Sequence, residues 1–207
     1  MFALDISENY MRVLELRKVA DTFFLQGLAG KPFGSKKEFS GLLKQLVAQA
    51  KPSPILSLDV ALAIPEEESF IKIVSIPKRE EDELLKFLNE EITKIVPYEE
   101  KEVYWDWKII DEGGVNNMAQ VMVTACPKSV IDGYINLIME AGFTPALIET
   151  EANALLWGIQ NPKNTLPTKE AILAVNIGNK KTGLSCQQTF LPDFASSCLH
   201  YCLGYGV

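Results

Sequence analysis

No apolar stretch in this 207-residue chain reaches the roughly 20 residues needed to cross a bilayer as a helix, so a helical membrane span is excluded. No secretory leader is expected either, because Asp5 interrupts the first apolar run and no basic segment precedes it. Positive charge is in deficit: the formal net charge of −7 argues against nucleic acid or anionic lipid as a partner, since neither gains from meeting an acidic surface. Cysteine is scarce, with Cys126 in the body and Cys186, Cys198 and Cys202 crowded into the tail, which is no extracellular disulfide framework. These absences predict a cytoplasmic protein. What remains, 47% hydrophobic and 23% charged residues, is the balance of a globular chain able to bury a sizeable core.

The chain is organised around its first sixteen residues. Phe2-Ala3-Leu4-Asp5-Ile6 reads as a buried strand, Ser7-Glu8-Asn9-Tyr10 as a turn and Met11 to Leu16 as the returning strand. Such a turn is a sheet edge. In a nucleotide-binding protein it would also aim backbone N–H groups at a phosphate, with Asp5 at the strand end holding hydrated magnesium.

Asp21 to Leu28 continues as a strand, and Ser35 with Glu38 has the spacing of a capping box before a helix that buries Phe39, Leu42, Leu43 and Leu46. Ile55 to Ile64 is a strand with Leu58, Val60 and Leu62 on one face. The acids Glu66 to Glu68 read as a solvated turn. A second module starts near Ser69: the strand Phe70 to Ile76, a helix from Lys78 to Val96 with an acidic first turn and an apolar stripe of Leu84, Leu85, Leu88, Ile92 and Ile95, then strands Val103 to Ile110 and Met118 to Ala125. Trp105 and Trp107 belong to its core or, with one edge open, to a face for a partner peptide. A helix over Pro127 to Ala141 ends at Gly142, a strand runs through Ala146 to Ile148, and Thr150 to Ile159 is a further helix packing Ala154, Leu155 and Trp157 inward. Asn161 to Thr168, with two prolines, reads as a linker between lobes.

Beyond it the opening returns. Leu4-Asp5-Ile6-Ser7-Glu8-Asn9 falls on Val175-Asn176-Ile177-Gly178-Asn179-Lys180, an apolar strand meeting a polar turn. This predicts an internal repeat, two hairpins facing each other across a cleft with phosphates between them.

The order of these segments resembles the actin-like ATPase superfamily and, more narrowly, the PilM family of type IV pilus assembly. The resemblance runs from about Phe2 to Leu184 and is carried by Leu4-Asp5-Ile6-Ser7, Val60 to Pro65, Ile73 to Pro77, Ile95-Val96-Pro97-Tyr98, Trp105-Asp106-Trp107, Thr124 to Lys128, Ala141 to Pro145 and Ile148 to Leu155. It implies an α/β fold with an α+β insert: an actin-like (ribonuclease H-like) first lobe, residues 1–68, an inserted strand-helix-strand-strand module, 69–149, a return helix and linker, 150–168, and the truncated start of a second lobe with an aberrant tail, 169–207. It further implies ATP with Mg2+ as ligands and docking of a cytoplasmic N-terminal peptide of the inner-membrane protein PilN. That would place the chain peripherally at the inner membrane, in the pilus platform complex, through a partner.

By the same resemblance Asp5, Ser7, Glu8, Asn9, Asn176, Gly178, Asn179 and Lys180 form the nucleotide site, with Asp5 toward the metal. Glu151 either orients the attacking water as a catalytic residue or simply favours the dipole of its helix. Ser7 stands where the family turn has glycine and Asn176 where it has a carboxylate, which weakens the nucleotide expectation. Only 31 residues follow Asn176, and from Thr182 onward Lys and Arg vanish while Cys186, Cys198, His200 and Cys202 appear. This shift predicts a foreign tail after about Leu184, of the kind an interrupted reading frame produces. The tail's Cys and His residues are accidental or metal ligands, although their spacing is not a usual zinc pattern. Two alternatives share the fold: a cytoplasmic scaffold of a type II secretion platform, which would continue into a membrane span, and a small-molecule kinase using Asp5 and Glu151, which needs a complete second lobe.

Overall fold

Alternation of apolar with small or polar residues builds the first sheet. In β1 (Phe2–Ser7), Phe2, Leu4 and Ile6 are buried while Ala3, Asp5 and Ser7 face the other way. The computed structural model describes residues 1–7, 9–112, 117–159, 171–177, 181–188 and 198–204. They fall into two compact units, Met1–Pro65 with Val130–Ala154 and Glu66–Ser129 with Leu155–Val207.

In the first unit β1 pairs antiparallel with β2 (Tyr10–Val19), which turns at Ala20 and Asp21 into β3 (Thr22–Pro32). A one-turn 3-10 segment, Lys36–Glu38, leads into α1 (Phe39–Gln49). The capping box expected there does not form: the Ser35 hydroxyl makes no cap bond, and the Glu38 carboxylate instead accepts the Gly34 N–H at 3.2 Å. Phe39, Leu43, Leu46 and Val47 are the buried stripe of α1. The two-residue β4 (Lys51–Pro52) follows, then β5 (Asp59–Ile64), and the sheet order among the described strands is β4-β3-β2-β1-β5-β9. Leu58 lies before β5 and is exposed, so the strand expected to start at Ile55 begins later and its inward face is Val60, Leu62 and Ile64.

The second unit's module is β6 (Phe70–Pro77), α2 (Glu81–Ile95), β7 (Val103–Asp111) and β8 (Met118–Pro127), with β8 central in an antiparallel sheet. Leu84, Leu88 and Ile92, one helical turn apart, bury against Ile76, Val121, Val123 and Ala125. Trp105 and Trp107 pack against this cluster and are half-buried, at the margin of the module's core. A bulge between Ile109 and Asp111 leaves Ile110 unpaired and buried. The turn residues 113–116 lie outside the described residues.

α3 (Lys128–Glu140) stops at Gly142, whose φ of 81° only glycine adopts without strain. The Gly142 and Phe143 N–H groups donate to the carbonyls of Met139 and Ile138, so the last turn is satisfied. Phe143 meets Phe2 edge-on with centroids 5.4 Å apart. Then come β9 (Thr144–Thr150) and α4 (Glu151–Ile159). Among the described side chains of α4, Ala152 is buried, whereas Ala154 and Trp157, expected to pack inward, are exposed. The expected linker, 161–168, lies outside the described residues. β10 (Ala171–Ile177), β11 (Lys181–Gln188) and β12 (Cys198–Gly204) form an antiparallel sheet, so part of the tail is paired to the repeat hairpin.

Candidate functional site

Three parallel strands end on one edge of the first sheet. β1, β5 and β9 run parallel, which brings Asp5 to Ser7, Ala63 with Ile64, and Glu149 with Thr150 to a common carboxyl edge. In open α/β sheets that edge receives ligands. Register places Arg12, Asp5, Ala63 and Glu149 in one row across β2, β1, β5 and β9. The row lies on the face opposite Phe2, Leu4 and Ile6, away from the buried core. Ala63 keeps the floor low between two acids that stand two strand spacings apart, roughly 10 Å.

Arg12 dominates the first half of this row. Its Nη1 donates to Asp5 Oδ2 at 2.8 Å and to Ser7 Oγ at 2.9 Å, and the guanidinium carbon lies 4.6 Å from the centroid of the Tyr10 ring. Room for this comes from Gly30, which is opposite Arg12 on β3. A Cβ at Gly30 would stand 2.8 Å from Tyr10 Cε1 and 3.2 Å from Arg12 Cγ. The Asn9 carbonyl accepts the Phe33 N–H at 2.9 Å and ties the turn to the end of β3.

At the other end of the row, Thr150 Oγ1 accepts the Asn153 N–H at 3.3 Å and caps α4. Glu149 Oε1 accepts the Thr150 N–H at 2.8 Å and Asn153 Nδ2 at 3.0 Å, which fixes its carboxylate at the start of the helix. Glu151 is the first residue of α4 and half-buried. In the module, burial and the nearby Glu68 carboxylate push the Cys126 thiol up to about 11, so it stays protonated at neutral pH and is inert as a nucleophile.

Of the residues predicted from sequence, Asp5 and Ser7 meet at one guanidinium, Asn9 lies in the turn beside them and Glu151 opens α4. Asn176 belongs to the second unit, where it pairs with Gly183. Glu8, Gly178, Asn179 and Lys180 lie outside the described residues, as do the side chains of Cys186, Cys198, His200 and Cys202. Among the described residues no cluster of His, Cys, Asp and Glu has the arrangement of a metal site. Sequence reasoning missed Arg12, Tyr10, Gly30, Glu149 and Asn153. For Arg12 a signal existed: Met11 and Val13 flank it as the buried positions of an alternating strand, which assigns Arg12 to the face of Asp5.

A family model described as type IV pilus assembly protein PilM matches residues 3–189, past Leu184. The chain belongs to the PilM family. No curated protein sequence matches it significantly. Among solved structures, a PilM-PilN type IV pilus biogenesis complex is similar over 98% of this chain and 61% of that chain, with 18% identity and a TM-score of 0.82. This PilM-family chain therefore spans less than two thirds of the length of that relative. The cytoplasmic domain of EpsL, an inner-membrane component of the type II secretion system of Vibrio cholerae, is similar over 98% of this chain and 70% of that one, with 11% identity and a TM-score of 0.61. The α/β fold expected from the order of segments is the fold observed, and it is shared with the PilM-PilN complex.

Proposed function

We propose that this PilM-family chain works in the cytoplasm as an adaptor of the type IV pilus inner-membrane platform, docking the N-terminal peptide of a PilN-type inner-membrane protein beside its small module. The observation that carries the reading is the family match over residues 3–189, and the likeness to a PilM-PilN complex across 98% of the chain supports it. Among the described residues no helix is long and apolar enough to cross a membrane, and the reading assigns anchoring to the partner. With both tryptophans packed against the core, the exposed large apolar side chains among the module's described residues are Leu85 on α2 and Tyr104 on β7. They are the first candidates for peptide contact. Titrating the folded chain with a synthetic PilN-type N-terminal peptide tests this. Saturable binding that one of Leu85→Glu and Tyr104→Glu weakens about tenfold identifies whether the helix side or the opposite sheet face takes the peptide, and no binding to folded protein overturns the adaptor reading. The type II secretion scaffold remains the second reading, and the family match favours the pilus over it.

ATP is the second part of the proposal, with its phosphates at the β1–β2 turn beside Asp5, Ser7 and Asn9, and Glu151 as the residue that would orient an attacking water. A magnesium ion would be expected on Asp5. The residues present do not fit it, because the Asp5 carboxylate and the Ser7 hydroxyl are both bonded to Arg12.

A further inference from the structure

We infer that Arg12 is a built-in cation at the β1–β2 turn: it takes the place of a divalent ion, so the turn binds a di- or triphosphate free of metal. The inference rests on the reading of this turn as the phosphate site, and it names the charge that recognises the ligand.

Four observations converge on Arg12. Register sets it directly opposite Asp5, so the ion pair follows from strand pairing and needs no bending of either chain. One nitrogen, Nη1, bridges the carboxylate and the Ser7 hydroxyl at 2.8 and 2.9 Å, the two oxygens that a hydrated ion would otherwise approach. The Tyr10 ring holds the guanidinium from its face at 4.6 Å. On the third side Gly30 carries no side chain, and a Cβ there would collide with both Tyr10 and the Arg12 stem. The arginine is thus held in place by its neighbours on three strands. A divalent ion approaching Asp5 Oδ2 and Ser7 Oγ meets the guanidinium already bonded to both oxygens, so positive charge is in place there before any metal arrives.

The guanidinium has five N–H donors in a planar fork, and only Nη1 is engaged by a hydrogen bond among the described residues. Arg12 is about half exposed, with 48% of its side-chain surface open. A phosphate oxygen approaching the turn can be met by Nη2 and Nε while Nη1 stays on Asp5. That gives one point of fixed positive charge in a chain of net charge −7, where an uncompensated triphosphate would be repelled.

The test is calorimetric titration of the full chain with ATP and, separately, with inorganic triphosphate, each in EDTA and in excess Mg2+. Expected are equal affinities in the two buffers, a loss of about tenfold or more in Arg12→Gln, and a smaller loss in Arg12→Lys. Asp5→Asn is the variant that separates the two accounts by sign. If Asp5 held a metal, its loss would abolish binding, whereas a freed Arg12 binds phosphate as well or better. Circular dichroism of each variant shows that it is folded. ATP binding that requires Mg2+ and is lost in Asp5→Asn overturns the inference and leaves the nucleotide reading standing. Binding of neither probe in either buffer overturns both.

Discussion

In the first hairpin Asp5 stands opposite Arg12 and Ile6 opposite Met11; in the second Asn176 stands opposite Gly183 and Ile177 opposite Thr182. Laid over one another by the repeat, the two hairpins pair residue for residue. Their environments differ completely. Leu4 and Ile6 are 0% and 3% exposed, and their counterparts Val175 and Ile177 are 49% and 77% exposed. The first hairpin lies under the apolar stripe of α1 and beside β5. In the second, Leu173, Val175 and Ile177 share one face by alternation, and all three stay exposed. Pairing register is a local property that a short pattern can repeat. Burial is not: it comes from the layer laid over the sheet, and most of the stabilising free energy comes with it.

The sharpest way to break this equivalence is to truncate the matched pair. Leu4→Ala should lower stability by about 3 kcal/mol, the cost of an unfilled core site, in a urea titration. Val175→Ala should change it by less than about 1 kcal/mol, because the side chain has little burial to lose. Equal costs would show that the second hairpin is covered as the first is. Native-state hydrogen exchange extends the same comparison to the backbone. Amides of β1 and β2 should exchange about 100-fold more slowly than those of β10, whose described apolar side chains Leu173, Val175 and Ile177 are exposed.

The fold was largely legible because its elements announce themselves locally. The stripe Leu84, Leu88, Ile92 reads as a helix face, and Val60, Leu62, Ile64 as a strand face, from spacing alone. One error was local, Glu38 taking the Gly34 N–H in place of that of Ser35. The other fell where tertiary packing decides, Trp157 staying outside while the small Ala152 goes in. For the candidate site, Asp5 and Ser7 stood out as polar residues closing an apolar strand, but Arg12 did not. A turn read as Ser7 to Tyr10 already sets Ile6 against Met11 and Asp5 against Arg12, and the observed pairing of Ser7 with Tyr10 keeps that register, so the partner of Asp5 was legible in the hairpin and went unread. Glu149 was hidden for a different reason: parallel pairing of β9 with β5 joins segments far apart in the chain, and no local pattern carries that register.

Gly30→Ala sharpens the comparison on the face that carries charge. The added Cβ meets the Tyr10 ring and the Arg12 stem, both of which have some freedom to shift, and the Met11 carbonyl at 3.3 Å, which has less. A loss of about 1–2 kcal/mol is expected in the same urea titration, together with weakened contact between Arg12 and Asp5. An unchanged protein would mean that Gly30 is not what makes room for the arginine.

The smallest effect is the most diagnostic of what separates the two hairpins. Asp5 and Arg12 are 37% and 48% exposed at the side chain, so solvent screens their attraction and the pair contributes little to folding. A double-mutant cycle with Asp5→Asn and Arg12→Gln should give a coupling of about 0.5–1 kcal/mol that shrinks as salt is raised. Asn176→Asp supplies the counterpart, since it restores a carboxylate opposite Gly183, where register offers no arginine. Its stability should show none of the favourable salt-sensitive coupling. If the cycle at Asp5 and Arg12 returns zero at low salt, the ion pair does not hold the guanidinium in place, and Tyr10 and Gly30 alone would have to do so. A measurable coupling that survives high salt would instead mean that the pair is shielded from solvent, as an exposed surface bridge is not.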